Sequence, residues 1–224
     1  MLTPGERDSR RSRTLADLIT GAGGGAAVRF RPGQTLMRQG DPGTHVLLLR
    51  GGSAKVTLRS RTGAEVVLAL RTAPQILGER AVLARACRSA SASALTVVDA
   101  LAVPGADFRN LVDASPQAMA AVLGITVDRL QEADRGRLEL ATRTVTQRLA
   151  ARLLALLPQI GATDQVEGAV RLPLTQQDLA DWVGASREAV VRTLRQLRAD
   201  GIVATERGQI VVHGQQALRE LAGS

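Results

Sequence analysis

A chain of 224 residues, of which 45% are hydrophobic, is long enough for two modest domains that each bury a core. No apolar run is long enough to span a bilayer and no signal-peptide core follows the N-terminal charges, so we expect a cytoplasmic protein with no membrane partner. The net charge is +8, but more of the basic excess lies in residues 29–115 than in 171–224, so charge indicates only long-range attraction to nucleic acid.

One cysteine, Cys87, and two histidines, His45 and His213, limit the chemistry of this chain. A single thiol excludes an intramolecular disulfide and an iron–sulfur cluster held by several cysteines of one chain. The histidines have no metal-ligand spacing and form no evident catalytic triad. We therefore expect no metal, no iron–sulfur cluster, no haem and no enzyme activity.

Residues 1–27 are predicted to be a flexible segment with one short helix. Residues 1–13 are polar and rich in arginine, and glycines dominate 21–25, which favours flexibility at both ends. Leu15, Leu18 and Ile19 allow a short helix between them.

Short apolar runs alternate with glycine turns in residues 28–115. Strands are predicted at 46–49, 54–58 and 65–70, and this texture indicates an antiparallel β-barrel or jelly roll. A sandwich that binds no ligand explains the same pattern equally well.

A possible anion site lies between residues 76 and 90. Gly78-Glu79 opens a short helix, whose amides together with Arg88 can neutralise a phosphate. Ser89 can donate a hydrogen bond to that phosphate, and Glu79 can accept one from a ribose hydroxyl. A surface turn with a Glu79–Arg88 ion pair is the alternative interpretation.

A long helix is predicted at residues 116–142. Its heptad seam suggests that two such helices pack in a dimer, and the alternative is a helix packed only on its own barrel. The seam is formed by Met119, Leu123, Thr126, Leu130, Ala133, Arg137 and Leu140. Thr144 and Gln147 form a capping box, so a new helix is expected there, with a hinge near 142–144.

Residues 174–197 are predicted to form a helix-turn-helix. Thr175 and Asp178 form a capping box, Gly184 allows a sharp turn, and Ser186 can cap a second helix. The inward face of that helix is Val190, Leu194 and Leu197, and its outward face is Arg187, Glu188, Val191, Arg192 and Arg195.

The exposed charges of the second helix suit the major groove of DNA. Arginine can bond the O6 and N7 of guanine, and glutamate can accept from the cytosine amino group. The alternative is a solvated face with a Glu188–Arg192 pair at i, i+4. Two β-rich runs flank Glu206-Arg207-Gly208, which predicts a hairpin wing.

Residues 185–192, Ala-Ser-Arg-Glu-Ala-Val-Val-Arg, resemble the recognition helix of the Crp/Fnr family of bacterial transcription regulators. The resemblance implies a homodimer that reads palindromic double-stranded DNA, with RNA polymerase as a further partner near the loop 161–168. It implies base reading by Arg187, Glu188 and Arg192. The full set of predicted DNA-binding residues is Arg187, Glu188, Arg192, Ser186, Arg195 and Thr175.

The stretch 76–90 resembles the phosphate-binding cassette of cyclic nucleotide-binding domains, and residues 30–41 resemble the entry to that barrel. The resemblance implies a nucleotide site, and a serine at the last cassette position resembles the adenine-selective pattern, which favours cyclic AMP. Asp134 stands where the family places a residue against the adenine. The implied ligands are Gly78, Glu79, Arg88, Ser89 and Asp134.

Three departures from the family bear on the ligand. Arg80 replaces an apolar residue, the cassette is short, and Ala133-Asp134 replaces a small hydroxylic pair. The site therefore prefers another ligand, binds cyclic AMP weakly or has decayed.

The predicted fold is α+β: a cyclic nucleotide-binding-type barrel (28–115), a dimerisation helix (116–142) and a winged helix-turn-helix (143–224). The predicted function is a DNA-binding regulator gated by a cyclic nucleotide. One alternative is a regulator without a ligand or gated by the Cys87 thiol, although burial as a small structural thiol is favoured. Another is a nucleotide sensor that acts on a protein partner.

Overall fold

The structure is a computed structural model that describes residues 4–160, 165–166, 169–206 and 208–223. The chain divides into two units, Met1–Arg135 and Gly136–Ser224. The predicted loop at 161–168 lies outside the described residues except for 165–166, and so does Arg207 at the tip of the predicted wing. The domain limits at 115/116 and 142/143 stay predictions.

The described residues of the first unit form eight strands, three whole helices and most of a fourth helix. The helices are α1 (Pro4–Gly21), α2 (Glu79–Leu83), α3 (Gly105–Ala114) and α4 (Pro116–Thr142), the last of which continues into the second unit. The strands are β1 (Ala26–Phe30), β2 (Thr35–Met37), β3 (His45–Gly51), β4 (Ser53–Arg59), β5 (Glu65–Thr72), β6 (Gln75–Leu77), β7 (Ser91–Ala94) and β8 (Val98–Pro104). The three predicted strands are confirmed as parts of β3, β4 and β5.

Two four-stranded antiparallel sheets, ordered β1-β8-β3-β6 and β2-β7-β4-β5, form the predicted jelly roll. They are open sheets and not a closed cylinder. Alternation along β3 explains how they pack. Leu47 and Leu49 face a core shared by both sheets, whereas Val46 and Leu48 face a second core beneath the helices.

Helix α1 is longer than the predicted short helix, since it spans 18 residues. Leu15 and Ile19 are fully buried against the sheet and α4. The polar half was predicted to be flexible from its composition, but Arg7 and Arg11 form ion pairs with Asp128 of α4. The polar residues therefore have partners more than 100 positions away in sequence.

In the second unit, the described residues form the end of α4, four further helices and one sheet. The helices are α5 (Val145–Ile160), α6 (Gln176–Val183), α7 (Arg187–Ala199) and α8 (Gln215–Gly223). The sheet has the order β11-β12-β10-β9, with β9 (Gln165–Val166), β10 (Ala169–Leu172), β11 (Val203–Glu206) and β12 (Gln209–Val212). Helices α6 and α7 and the β11–β12 hairpin are the predicted helix-turn-helix and wing.

Candidate functional site

Helix α6 begins at the predicted capping box. The Thr175 hydroxyl accepts a hydrogen bond from the Asp178 backbone N–H at 3.1 Å, and the Asp178 carboxylate accepts one from the Thr175 N–H at 3.0 Å. Two amides of the first turn are thereby satisfied. The start of the first helix is confirmed at Thr175.

A tight turn connects α6 to α7. Gly184 has a φ of 63°, which costs glycine little because it has no Cβ. Ser186 then caps α7, because its side chain accepts from the Ala189 N–H at 3.2 Å. The predicted turn and second cap are both confirmed.

Helix α7 is amphipathic, as its sequence predicted. Val190, Leu194 and Leu197 are buried, and they pack the helix onto its own unit. Arg187, Glu188, Arg192 and Arg195 are exposed, whereas Val191, predicted to point outward, is half-buried. Burial of the apolar stripe fixes the opposite face toward solvent.

The four exposed charges of α7 have no ion-pair partner in the described part of the chain. In particular, Glu188 and Arg192 do not form the i, i+4 pair that the alternative interpretation required. Their hydrogen-bonding groups are thus available to an external partner without first breaking an internal contact.

A cleft of about 350 Å³ lies between the helix-turn-helix and the wing. Thr175 at the start of α6 and Arg187 at the start of α7 line one side, and Thr205 and Gln209 of the hairpin line the other. The cleft therefore places the N-terminal ends of two helices, which carry partial positive charge, next to a projecting β-hairpin.

The break between α4 and α5 is also confirmed. Thr144 donates its N–H to the Gln147 side chain at 2.8 Å, and its hydroxyl accepts from the Gln147 N–H at 3.3 Å. Arg148, on the first turn of α5, donates to the Arg143 carbonyl at 2.6 Å and to the Val183 carbonyl at 2.8 Å. One side chain thus joins the helix break to the end of α6.

The cassette residues Gly78, Glu79 and Arg88 come together in the first unit. Gly78 has a φ of 86°, and an added Cβ would collide with the Arg88 guanidinium and Met37. Arg88 is buried and turns toward its own chain, donating to the Gly78 carbonyl at 3.0 Å and to the His45 carbonyl at 2.5 Å. Burial lowers the pKa of Arg88, although Glu79 and Asp41 oppose this.

Glu79 is buried, and its partner is not Arg88 but Arg129 of α4, at 2.8 Å. The other carboxylate oxygen, Oε2, is buried without a hydrogen-bond partner among the described residues. An orphaned acceptor costs about 1–3 kcal/mol. A ligand hydroxyl would satisfy it, so this carboxylate fits the ribose role that the sequence predicted for it.

Arg129 was missed by the sequence analysis. The buried stripe of α4 runs through Ala118, Val122 and Ile125, and helical spacing continues it to Asp128 and Arg129. Charged residues at the end of an apolar stripe were the available signal. Ion pairing explains them, since both residues find partners of opposite charge.

The other predicted ligands are exposed. Ser89 directly follows the buried Arg88 in sequence and is itself exposed. Asp134 is exposed on α4, five residues after Arg129. Cys87 is exposed as well, so the expectation that this thiol is buried was wrong. It lies in the segment that pairs with Pro42 through an isolated β-bridge, which leaves its side chain outside the core.

The predicted seam of α4 faces solvent in the single chain. Met119, Leu123, Leu130 and Leu140 have 47%, 62%, 59% and 54% of their surface exposed. The opposite face of the helix buries Ala118, Ala121, Val122 and Ile125.

No described helix has the length and hydropathy needed to cross a membrane. Within the described ranges, no cluster of three or more His, Cys, Asp or Glu residues could hold a metal ion.

Comparison with known families matches both units. Residues 27–115 match the family described as "Cyclic nucleotide-binding domain", and residues 147–221 match the family described as "Crp-like helix-turn-helix domain". The chain is also similar to the CRP-like cAMP-activated global transcriptional regulator of Mycobacterium tuberculosis. The two are 27% identical over 197 residues, which is 87% of each protein.

Solved structures show the same fold. A transcriptional regulator of the CRP/FNR family from Thermus thermophilus aligns with a TM-score of 0.75 and 27% identity, covering 89% of this chain and 99% of that one. A c-di-GMP-responsive global regulator from Xanthomonas campestris aligns with a TM-score of 0.72 and 24% identity, covering 89% and 99%.

Proposed function

We propose that this chain, which belongs to the Crp/Fnr family of DNA-binding transcription regulators, acts as a homodimer on palindromic DNA and is gated by a cyclic nucleotide, with cyclic AMP favoured. The observation that carries the DNA-reading proposal is the charged face of α7. It presents Arg187, Glu188 and Arg192 on a capped helix beside a wing, without internal ion pairs among the described residues.

Base reading is assigned to the first two turns of α7. Arg187 and Glu188 lie in the first turn and Arg192 in the second, where a recognition helix meets base edges. Thr175 and Ser186 hold the starts of the two helices, whose free amides suit DNA phosphates. For Arg195, one turn further along, we propose a contact with the DNA backbone.

The exposed seam of α4 supports the dimer. Along one face of this helix, Leu and Met side chains have about half or more of their surface exposed. Burial against the same face of a second chain would remove this apolar surface from water. Two-fold symmetry would then present two recognition helices to successive major-groove faces, so the proposed operator is a palindrome. RNA polymerase remains a further proposed partner, through the loop at 161–168.

The cassette supports a cyclic nucleotide as the gating ligand. Glu79 offers an unpartnered buried oxygen, and Arg88 lies beside it with its guanidinium on backbone carbonyls. Ligand binding would draw Arg88 from those carbonyls to the phosphate, with Ser89 as a further donor and Asp134 as an acceptor for the adenine amino group. The relative from M. tuberculosis is described as cAMP-activated, and the one from X. campestris as c-di-GMP responsive.

DNA selection tests the proposed sequence-specific binding through α7. The full-length protein is incubated with random-sequence duplexes in the presence of cyclic AMP, and the recovered sites are sequenced. We expect an inverted repeat with half-sites about one helical turn apart. Recovery of unrelated sequences, with equal affinity for all of them, would overturn sequence-specific recognition.

A thiol-gated regulator is the second candidate, because Cys87 is exposed next to Arg88. In this case peroxide changes operator affinity in the wild type and not in Cys87→Ser. Equal responses of the two proteins would exclude it.

A further inference from the structure

A buried polar cluster links three parts of the first unit. We define the Arg129 cluster as Asp8 of α1, Gln75 and Glu79 at the cassette, and Arg129 of α4. Asp8 and Glu79 are 2% and 6% exposed. Buried charges persist only when they are paired and hydrogen-bonded, so these residues depend on one another.

Arg129 divides its donors among all members of the cluster. Its Nε donates to Asp8 at 2.9 Å, one terminal nitrogen donates to Glu79 at 2.8 Å, and the other donates to Gln75 at 3.2 Å and to the Ile76 carbonyl at 2.7 Å. Burial lowers the pKa of Arg129, but the attraction of Glu79 and Asp8 outweighs it and raises the pKa above its ordinary value. The Arg129 guanidinium therefore stays positively charged.

The other partners of Arg129 leave it one terminal nitrogen for Glu79. A guanidinium facing a lone carboxylate commonly binds both oxygens in a bidentate pair. Here Nε donates to Asp8 and the second terminal nitrogen donates to Gln75 and the Ile76 carbonyl, so Arg129 bonds Oε1 of Glu79 alone. The second oxygen, Oε2, is left without a partner among the described residues.

We propose that Asp8 is a positioning residue of the nucleotide site: by holding Nε of Arg129, it reserves Oε2 of Glu79 for a ligand hydroxyl. This inference rests on the proposed function. A 3′,5′-cyclic nucleotide has one free ribose hydroxyl, at the 2′ position, so that hydroxyl is the group concerned.

The sign of the effect separates this role from simple electrostatics. The carboxylates of Asp8 and Glu79 outnumber the single cation of Arg129, so removal of the Asp8 charge by itself would favour an anionic ligand. Asp8→Asn keeps the side-chain shape while weakening the hold on Nε. Arg129 can then turn onto both oxygens of Glu79 and compete with the ligand, so weaker binding is expected.

Asp128 provides a matched control. It is also a buried carboxylate, 3% exposed, and it also joins α1 to α4, through Arg7 and Arg11. In the described part of the chain it makes no hydrogen bond or ion pair with Arg129 or Glu79. Asp128→Asn therefore loosens α1 while leaving Arg129 on Glu79, which isolates the positioning role from a general loss of packing.

Calorimetric titration of the full-length protein tests the proposal with two ligands, cyclic AMP and its 2′-deoxy analogue. Asp8→Asn is expected to weaken cyclic AMP binding about tenfold, the size of one hydrogen bond to a charged group. It should not weaken binding of the 2′-deoxy analogue, which lacks the hydroxyl that Oε2 would accept, and Asp128→Asn should change neither affinity by more than about twofold. Equal losses in both variants, or equal losses for both ligands, would overturn the proposal.

A ligand-free measurement keeps the inference testable if the wild type binds no cyclic nucleotide, a result that would refute the proposed ligand alone. Hydrogen exchange of the α1 amides is measured in Asp8→Asn, Glu79→Gln and the double variant. Since both residues share Arg129, the double variant should differ from the product of the single effects by about threefold or more. Asp128→Asn combined with Glu79→Gln should give the simple product. If the effects of Asp8→Asn and Glu79→Gln on exchange simply multiply in the double variant, the coupling of Asp8 to Glu79 through Arg129 is contradicted.

Discussion

Arg187→Ala should weaken operator binding without destabilising the protein. Arg187 is exposed and has no ion pair among the described residues, so its replacement breaks no ion pair within the free protein. A bidentate arginine–guanine contact contributes about 1–3 kcal/mol of discrimination. A dimer presents two copies, so the expected loss is about 2–6 kcal/mol, which corresponds to about 30-fold to about 20,000-fold in affinity.

Fluorescence anisotropy with a selected operator and with a scrambled duplex, at several salt concentrations, measures this loss. The variant should lose affinity for the operator and relax its preference at one base pair in each half-site, with the salt dependence unchanged. Arg219→Ala, on the exposed side of α8, serves as a charge-matched control. An equal loss on both duplexes with a salt slope lowered by about 0.9 for each contact removed would show that Arg187 contacts only phosphate.

Three further predictions concern the dimer, the cassette and pH. Leu123→Asp should convert the dimer to a monomer in sedimentation experiments while preserving the fold, because this side chain is 62% exposed. Gln117→Asp, on another side of α4, should leave the dimer intact. Dimerisation of both variants would refute the seam as the dimer interface. Gly78→Ala should destabilise the first unit by about 1–3 kcal/mol in chemical unfolding, because φ is 86° and the Arg88 guanidinium fills the space; an unchanged midpoint would contradict the described geometry. Burial and the Arg88 charge lower the pKa of His45 from 6.5, so the unfolded chain binds the proton more readily than the folded chain. The free energy of unfolding should therefore fall as pH drops from about 7.5 to about 5.5. His45→Gln should flatten this pH dependence, and an identical dependence in the variant would refute the assignment to His45.

Local features of the DNA-binding unit could be predicted from the sequence because short-range chemistry determines them. The caps at Thr175 and Ser186 and the turn at Gly184 each involve residues within four positions of one another. Apolar spacing likewise identified the buried face of α7 and the exposed face of α4. Their predicted bonds and burial are confirmed for these reasons.

The Arg129 cluster could not be predicted in the same way. Asp8 and Arg129 are 121 positions apart, and Glu79 and Arg129 are 50 apart. Spacing within a helix does not report such pairs, and composition indicated flexibility for the arginine-rich start of α1. The exposure of Cys87 was missed because the average burial of cysteine says nothing about a loop anchored by one β-bridge.

The most direct test of ligand gating is the operator affinity of the full-length dimer with and without cyclic AMP. The proposal predicts that saturating cyclic AMP changes the dissociation constant by at least about fivefold, the lower end of typical allosteric coupling, and that Glu79→Gln reduces this response. The same dissociation constant in both conditions, at a cyclic AMP concentration that calorimetry shows to be saturating, would contradict the gating.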